Sequence, residues 1–183
     1  MTTQLWFFII LSLVVFNYFF SNILDYVNHR NWKDEIPDEL KDFYNKEKYK
    51  TAKDYAMSKN KIGLFSSSIS FLFIFTLLVF NGYGFIDQVV SSNILKFFLP
   101  FDFNSSFAQS GLFFLTLFIL NSIISIPFSY YNTFIIEEKF GFNKTTKSTF
   151  FLDILKSSLL SIFIGGALLF LALYLYDNLN DGF

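Results

Sequence analysis

Four long apolar runs, separated by polar loops, dominate the pattern of hydrophobic and polar positions along the chain. They cover residues 5–24, 62–85, 110–131 and 154–176. A bilayer core about 30 Å thick needs roughly 20 apolar helical residues to cross it, and each run is long enough. The sequence therefore predicts an all-α polytopic membrane protein, with a single membrane domain over residues 1–183 and four transmembrane helices.

Two apolar segments, the first long run and a short run before Pro100, need separate interpretation. No Lys or Arg precedes the first run, which is also too long for the core of a signal peptide, so we expect a retained helix. The run at residues 94–99 ends at Pro100 and is too short to span, which favours a position at the membrane interface.

The distribution of basic residues predicts the orientation. Nine Lys and Arg residues lie from Arg30 to Lys61 in the first loop, whereas the second loop has only Lys96. The third loop carries Lys139, Lys144 and Lys147. Because cytoplasmic loops are enriched in Lys and Arg, the first and third loops are predicted to be cytoplasmic and both termini to lie outside.

The first loop is expected to be helical. Pro37 suits the first turn of a helix, with acidic residues directly after it. A second helical segment, with apolar residues recurring every three or four positions from Glu47 to Lys59, is predicted to run straight into the second span. Such a stripe favours packing on the protein itself or on the membrane surface.

Polar residues inside the spans indicate helix packing rather than transport. Small residues lie four positions apart, as at Ser161 and Gly165, which predicts close approach of a neighbouring helix. Pro127 is expected to kink the third span near Ile123. No span has Asp, Glu, Arg or His near its centre, which argues against an ion-coupled transporter.

Composition narrows the function further. The chain is 53% hydrophobic and only 16% charged, against about 25% charged for a soluble domain. A net charge of −1 gives no general attraction to nucleic acid, so membrane lipids are the expected surroundings. With no Cys and a single His, too few ligands exist for a zinc site. We therefore predict no catalytic, cofactor-binding or metal-binding residue in this chain.

The third loop holds the most distinctive polar residues. Glu137 and Glu138 suggest metal binding or acid–base chemistry, but His29 is the only imidazole available and no suitable spacing joins them. Solvated charges at a helix end are the simpler interpretation. Gly141 predicts a turn, and the next helix is expected to be capped by one of three residues, Asn143, Thr145 or Thr146.

This loop resembles the integral-membrane CAAX prenyl protease family, zinc metalloendopeptidases that cleave behind a prenylated cysteine. The matching pattern is Tyr-Asn-Thr-Phe, two hydrophobic residues, Glu-Glu-Lys-x-Gly-Phe-Asn-x-x-Thr, over residues 131–146. Ile-Pro-Asp-Glu-Leu at residues 36–40 and Phe-x-Asp at residues 151–153 resemble two further parts of its N-terminal membrane region. The resemblance covers nearly the whole chain.

The resemblance implies that this chain has the family's membrane helices but not its catalytic residues. The family's zinc is held by an H-E-x-x-H helix and a later glutamate, and no H-E-x-x-H occurs here. From the resemblance we also expect the chain to end before the family's fifth helix. Zinc is therefore expected only in the full-length family, and this chain alone is predicted to be inactive. The third-loop motif is predicted to be a docking and positioning element for a downstream or separate catalytic zinc domain, through Asn132, Glu137, Glu138, Gly141 and Asn143.

The leading hypothesis is thus the N-terminal four-helix portion of a CAAX-protease-like membrane metalloprotease, as a fragment, a split gene product or a truncated paralogue. A stand-alone, non-catalytic membrane scaffold is the first alternative. A small transporter-like bundle is the second.

Overall fold

A computed structural model describes residues 3–32, 35–37, 41–42, 45–92 and 106–180. All regular structure in these ranges is helical. The described ranges contain five α-helices: α1 (Thr3–Arg30), α2 (Lys46–Val79), α3 (Gly82–Ser91), α4 (Ser106–Tyr131) and α5 (Lys147–Asn180). A π-helical segment, Asn132–Glu137, follows α4 directly.

Four of these helices are long and apolar enough to cross a membrane: α1, α2, α4 with the π-helical segment, and α5. Their exposed surfaces are rich in Phe, Leu and Ile, which water would not solvate and lipid would. The predicted all-α membrane architecture is confirmed.

Local capping explains where two of the helices begin. The Asn45 side chain accepts a hydrogen bond of 2.8 Å from the Lys48 amide, which starts α2. The Thr146 hydroxyl accepts one of 3.1 Å from the Thr149 amide, which starts α5. Of the three predicted capping residues of this helix, Thr146 makes the bond.

The helix α2 begins far ahead of the second apolar run and continues into it without interruption, as the periodicity predicted. It ends at Val79, however, inside the predicted span of 62–85. Asn81 has φ 54°, in the left-handed region, so the right-handed helix cannot continue, and α3 starts at Gly82.

Two other expectations for the loops fall largely on parts of the chain outside the described residues. Residues 35–37 are not helical, and the residues that would continue a helix from Pro37 lie outside the described ranges. Most of the segment that follows it, and the whole of the predicted interfacial run at 94–99, lie outside the described ranges.

The chain divides into two compact units. The first comprises Met1–Phe80 with Ile123–Lys144, and the second comprises Asn81–Ser122 with Thr145–Phe183. In the first unit, Tyr18 of α1 stacks on Phe71 of α2 with ring centroids 4.2 Å apart, and its hydroxyl lies 2.8 Å from the Ser68 hydroxyl. Ser67 also donates to the Asn22 side-chain oxygen at 3.3 Å. The two helices are therefore held by both aromatic and polar contacts.

In the second unit, the close helix packing that was predicted at Ser161 and Gly165 of α5 is not observed. Ser161 and Gly165 instead line an apolar cleft of about 410 Å³, together with Gly111 of α4. A Cβ built on Gly111 or Gly165 would meet no atom within 4 Å. The small side chains here leave open space between helices.

Candidate functional site at the third-loop motif

The five predicted site residues lie within one short segment that follows α4. Asn132 and Glu137 begin and end the π-helical segment, and Glu138 comes next. Gly141 and Asn143 follow in the turn that leads towards α5. A π-helical insertion shifts the register of the side chains that follow it, and no residue pattern considered above predicts this one.

An ion pair joins this segment to α2. The Lys59 Nζ lies 3.0 Å from the Glu137 Oε1, and the two side chains are 39% and 27% exposed. The Asn132 side-chain amide also donates to the same carboxylate oxygen at 3.3 Å. Glu137 is therefore not a freely solvated charge at a helix end, because two donors share its carboxylate.

The charge of Lys59 is favoured by these surroundings. Lys59 precedes the apolar run that begins at Ile62. Partial burial lowers its pKa, but the Glu137 carboxylate and the Tyr55 hydroxyl raise it by more, so the net pKa lies above its ordinary value. The ammonium is thus fully charged at neutral pH, and the ion pair persists there.

The turn after the π-helical segment is a Schellman motif. The Phe142 amide donates to the Glu137 carbonyl at 2.8 Å, and the Gly141 amide donates to the Glu138 carbonyl at 3.0 Å. Gly141 has φ 75°, the left-handed conformation that this motif requires and that glycine adopts without a steric cost. Asn143 closes the turn by donating from its side chain to the Glu138 Oε2 at 2.7 Å.

Aromatic rings fix the turn against α2. The Tyr55 ring centroid lies 5.3 Å from that of Phe140 and 4.9 Å from that of Phe142. The glycine between the two phenylalanines reverses the chain, so both rings contact one tyrosine. Each such pair contributes about 0.5–1.5 kcal/mol beyond the area it buries.

Helix α2 and the segment of residues 128–142 pack antiparallel to each other. We call the region of contact between them the junction. Phe65 contacts Phe128 with centroids 5.8 Å apart, Lys59 pairs with Glu137, and Tyr55 meets Phe140. At about 1.5 Å per helical residue, the ion pair lies roughly 9 Å along α2 from Phe65, towards the N-terminal end of the helix. The junction therefore begins within the apolar run and continues beyond it.

The two carboxylates of the junction are paired within the chain. Among the described residues, no three His, Cys, Asp or Glu side chains lie close enough together to hold a metal ion. The carboxylates of Glu137 and Glu138 are engaged by Lys59 and Asn143. The zinc that the resemblance implies for the whole enzyme has no matching set of ligands here.

Comparison with known proteins decides the family. The family model for the CAAX prenyl protease N-terminal region, with five membrane helices, matches residues 25–183. The chain belongs to the CAAX prenyl protease family. It is an integral membrane protein with several helices, and it corresponds to the N-terminal membrane portion of its relatives.

Curated relatives and a solved structure agree. CAAX prenyl protease 1 of Saccharomyces cerevisiae is 30% identical, over 97% of this chain and 40% of its own length. The Homo sapiens homologue is 28% identical over 66% of this chain and 25% of its own length. The crystal structure of S. mikatae Ste24p superposes with a TM-score of 0.79 at 28% identity, covering 94% of this chain and 40% of that one. The chain thus spans less than half the length of these proteases.

The third-loop motif of this CAAX prenyl protease relative is visible in the sequence, but the side chains that contact it are not. Tyr55 and Lys59 lie on the stripe of the second helical segment and also resemble the family's first cytoplasmic loop, and Phe142 lies within the matching pattern of the third loop. The sequence does not show that these side chains contact one another. The signal that could have indicated these contacts is the Phe-Gly-Phe triplet at residues 140–142. A turn at the glycine allows the two aromatic rings to contact the same neighbouring side chain.

Proposed function

We propose that this chain forms the membrane part of a zinc metalloendopeptidase that hydrolyses a peptide bond in a prenylated or membrane-associated substrate. The observation that carries the proposal is the match of residues 25–183 to the N-terminal region of CAAX prenyl proteases. With one His and no Cys in the chain, the zinc ligands come from a downstream or separate catalytic domain. The helices described above contribute the membrane-embedded walls around the substrate.

The proposed orientation has the first and third loops in the cytoplasm and both termini outside. The basic residues of both loops support it. The Lys59–Glu137 ion pair independently supports one part of this proposal, namely that the two loops lie on the same side of the membrane. One residue belongs to the helix that continues the first loop and the other to the third loop, so both loops meet on one side of the membrane.

The third-loop motif is proposed to position the catalytic domain. Asn132 and Glu137 act inside the chain, by fixing the segment to Lys59. Glu138 is exposed and Phe142 is 58% exposed, so they present an acidic and an aromatic group to a docking partner. Gly141 and Asn143 hold the turn in which Glu138 stays exposed and the Phe142 ring, although it contacts Tyr55, stays more than half exposed.

Reconstitution of activity tests the proposal. The chain would be co-expressed with the remaining part of the S. cerevisiae relative, and cleavage of a farnesylated CAAX peptide measured in detergent. We expect cleavage only when both parts are present, and its loss on chelation of zinc. Cleavage by the chain alone would contradict the proposal. Stable association of the two parts without any cleavage would favour the scaffold alternative.

A matched pair of variants tests the docking role within the same assay. Glu138→Ala with Phe142→Ala should weaken co-purification of the two parts. Glu47→Ala with Phe163→Ala removes the same side-chain types at exposed positions outside the motif and should leave co-purification unchanged. Equal recovery for both double variants would remove the docking role.

A further inference from the structure

A groove lies beside the junction, between α2 and the residues that follow α4. It consists of two cavities of about 380 and 240 Å³. Both cavities are lined by Ser58, Lys61, Lys139 and Phe140, so they adjoin along these four side chains, and we call the two together the groove. Ligand pockets in proteins have volumes of about 300–1,000 Å³, and the combined groove falls within that range.

One half of the groove is apolar and open to its surroundings. Ile62 and Phe65 of α2 line the larger cavity opposite Ile135. Phe65 and Ile135 are 60% and 49% exposed. In an integral membrane protein such side chains face lipid, so hydrocarbon is the chemistry that fits this half of the groove.

The other half carries unbalanced positive charge. Lys61 and Lys139 are both exposed and, within the described ranges, neither forms an ion pair, in contrast to Lys59. The Lys139 Nζ lies 5.4 Å from the centroid of the Phe140 ring. Asp54 lines the smaller cavity and offsets one of the two charges. A net positive charge remains, which favours an anion.

The two halves meet at the edge of the apolar span. Ile62 is the first residue of the second apolar run, and Lys61 directly precedes it. Lipid phosphates lie at this level of a bilayer, one layer outside the hydrocarbon. In the orientation proposed above, this is the cytoplasmic leaflet, where anionic lipids concentrate.

We propose that the groove binds one anionic phospholipid, with its headgroup phosphate between Lys61 and Lys139 and an acyl chain along Ile62, Phe65 and Ile135. Charge complementarity selects an anion, and the adjoining apolar surface selects a lipid over a free phosphate. The lipid would bridge α2 and the third-loop motif from the membrane side. This site is independent of the peptide hydrolysis proposed above.

Lipid binding to the purified chain tests this directly. Native mass spectrometry of the chain in detergent would be titrated with dioleoylphosphatidylglycerol and, separately, with dioleoylphosphatidylcholine, which has the same acyl chains. We expect tighter binding of the first lipid to one site. A lysine near a membrane surface changes anionic lipid binding by about fivefold. Lys61→Gln with Lys139→Gln should therefore weaken phosphatidylglycerol binding by about thirtyfold.

The control double variant is Lys46→Gln with Lys144→Gln, which removes two exposed lysines outside the groove. It should change binding by less than about twofold, since it alters only the general charge of the same side of the protein. Circular dichroism would confirm the helical fold of each variant. If the groove double variant does not fold, each single variant should still show the fivefold loss.

Three results would overturn the proposal. One is equal binding of the two lipids, and another is an equal loss in the groove and control variants. The third is displacement of phosphatidylglycerol by millimolar inorganic phosphate, which would identify a free-anion site instead of a lipid site.

Discussion

Replacing Tyr55 by alanine should release the third-loop motif from α2. The tyrosine ring contacts both Phe140 and Phe142 at centroid distances of 5.3 and 4.9 Å. Two such pairs contribute about 2 kcal/mol together, taking about 1 kcal/mol for each. Because Tyr55 is a long way from the loop in sequence, its loss should act on the docked state of the turn and leave α2 itself helical.

Amide hydrogen exchange measures this local stability. The amides of Gly141, Phe142 and Asn143 are all hydrogen-bonded in the turn, to the carbonyls of Glu138 or Glu137. If the turn must leave α2 before these bonds open, a loss of about 2 kcal/mol accelerates their exchange by about thirtyfold. Exchange read by mass spectrometry on peptides covering residues 138–146 would detect a change of that size.

Two matched variants define what the result means. Tyr55→Phe keeps the ring contacts and loses only the hydroxyl near Lys59, so it should preserve most of the protection. Tyr26→Ala removes an exposed tyrosine on α1 and should not alter exchange in the turn. Unchanged exchange in Tyr55→Ala, with the variant still folded, would show that the aromatic contacts do not hold the motif in place.

Of three further predictions, two concern the same region and the third concerns the whole chain. Gly141→Ala should destabilise the chain by about 1–2 kcal/mol through its positive φ, although its Cβ would meet no atom within 4 Å. The measurement is the thermal unfolding midpoint in detergent. Gly63→Ala, in an equally open helical position, should lower that midpoint less or not at all. Lys59→Ala and Glu137→Ala should show a coupling free energy of about 0.5–1 kcal/mol in a double-mutant cycle, and strictly additive effects would mean that the ion pair contributes nothing. Elemental analysis of the purified chain should find far less than one zinc per chain, whereas a stoichiometric, chelator-sensitive zinc would contradict the assignment of the metal site to another domain.

The membrane-spanning helices could be predicted from the sequence because the hydrocarbon core of a bilayer restricts which residues can cross it. A span needs an unbroken apolar run, and such runs are visible without any knowledge of tertiary structure. The continuity of α2 with the loop before it followed in the same way, from a periodic stripe that has no break before the apolar run. The end of α2 did not follow, because it depends on one left-handed residue, Asn81.

The site was harder to predict, since its contacts join distant parts of the chain. Lys59 and Glu137 are 78 positions apart, and Tyr55 is still further from the aromatic residues that it contacts. The sequence shows that Gly141 suits a turn, because that is a property of one residue. It does not show which helix the turn packs against, nor the π-helical segment that sets the direction of the Glu137 side chain.

The sidedness of the membrane segments is the most direct test of the account, since both loops must face the compartment of the proposed catalytic domain. The chain has no cysteine, so a single introduced cysteine reports one position without ambiguity. Lys46, Lys144 and Ser91 are all exposed, and each would be replaced by cysteine in turn. In intact cells treated with a membrane-impermeant thiol reagent, Lys46→Cys and Lys144→Cys should stay unlabelled until the membrane is permeabilised, and Ser91→Cys should be labelled at once. Labelling of the first two in intact cells, with Ser91→Cys protected, would invert the topology and contradict the account.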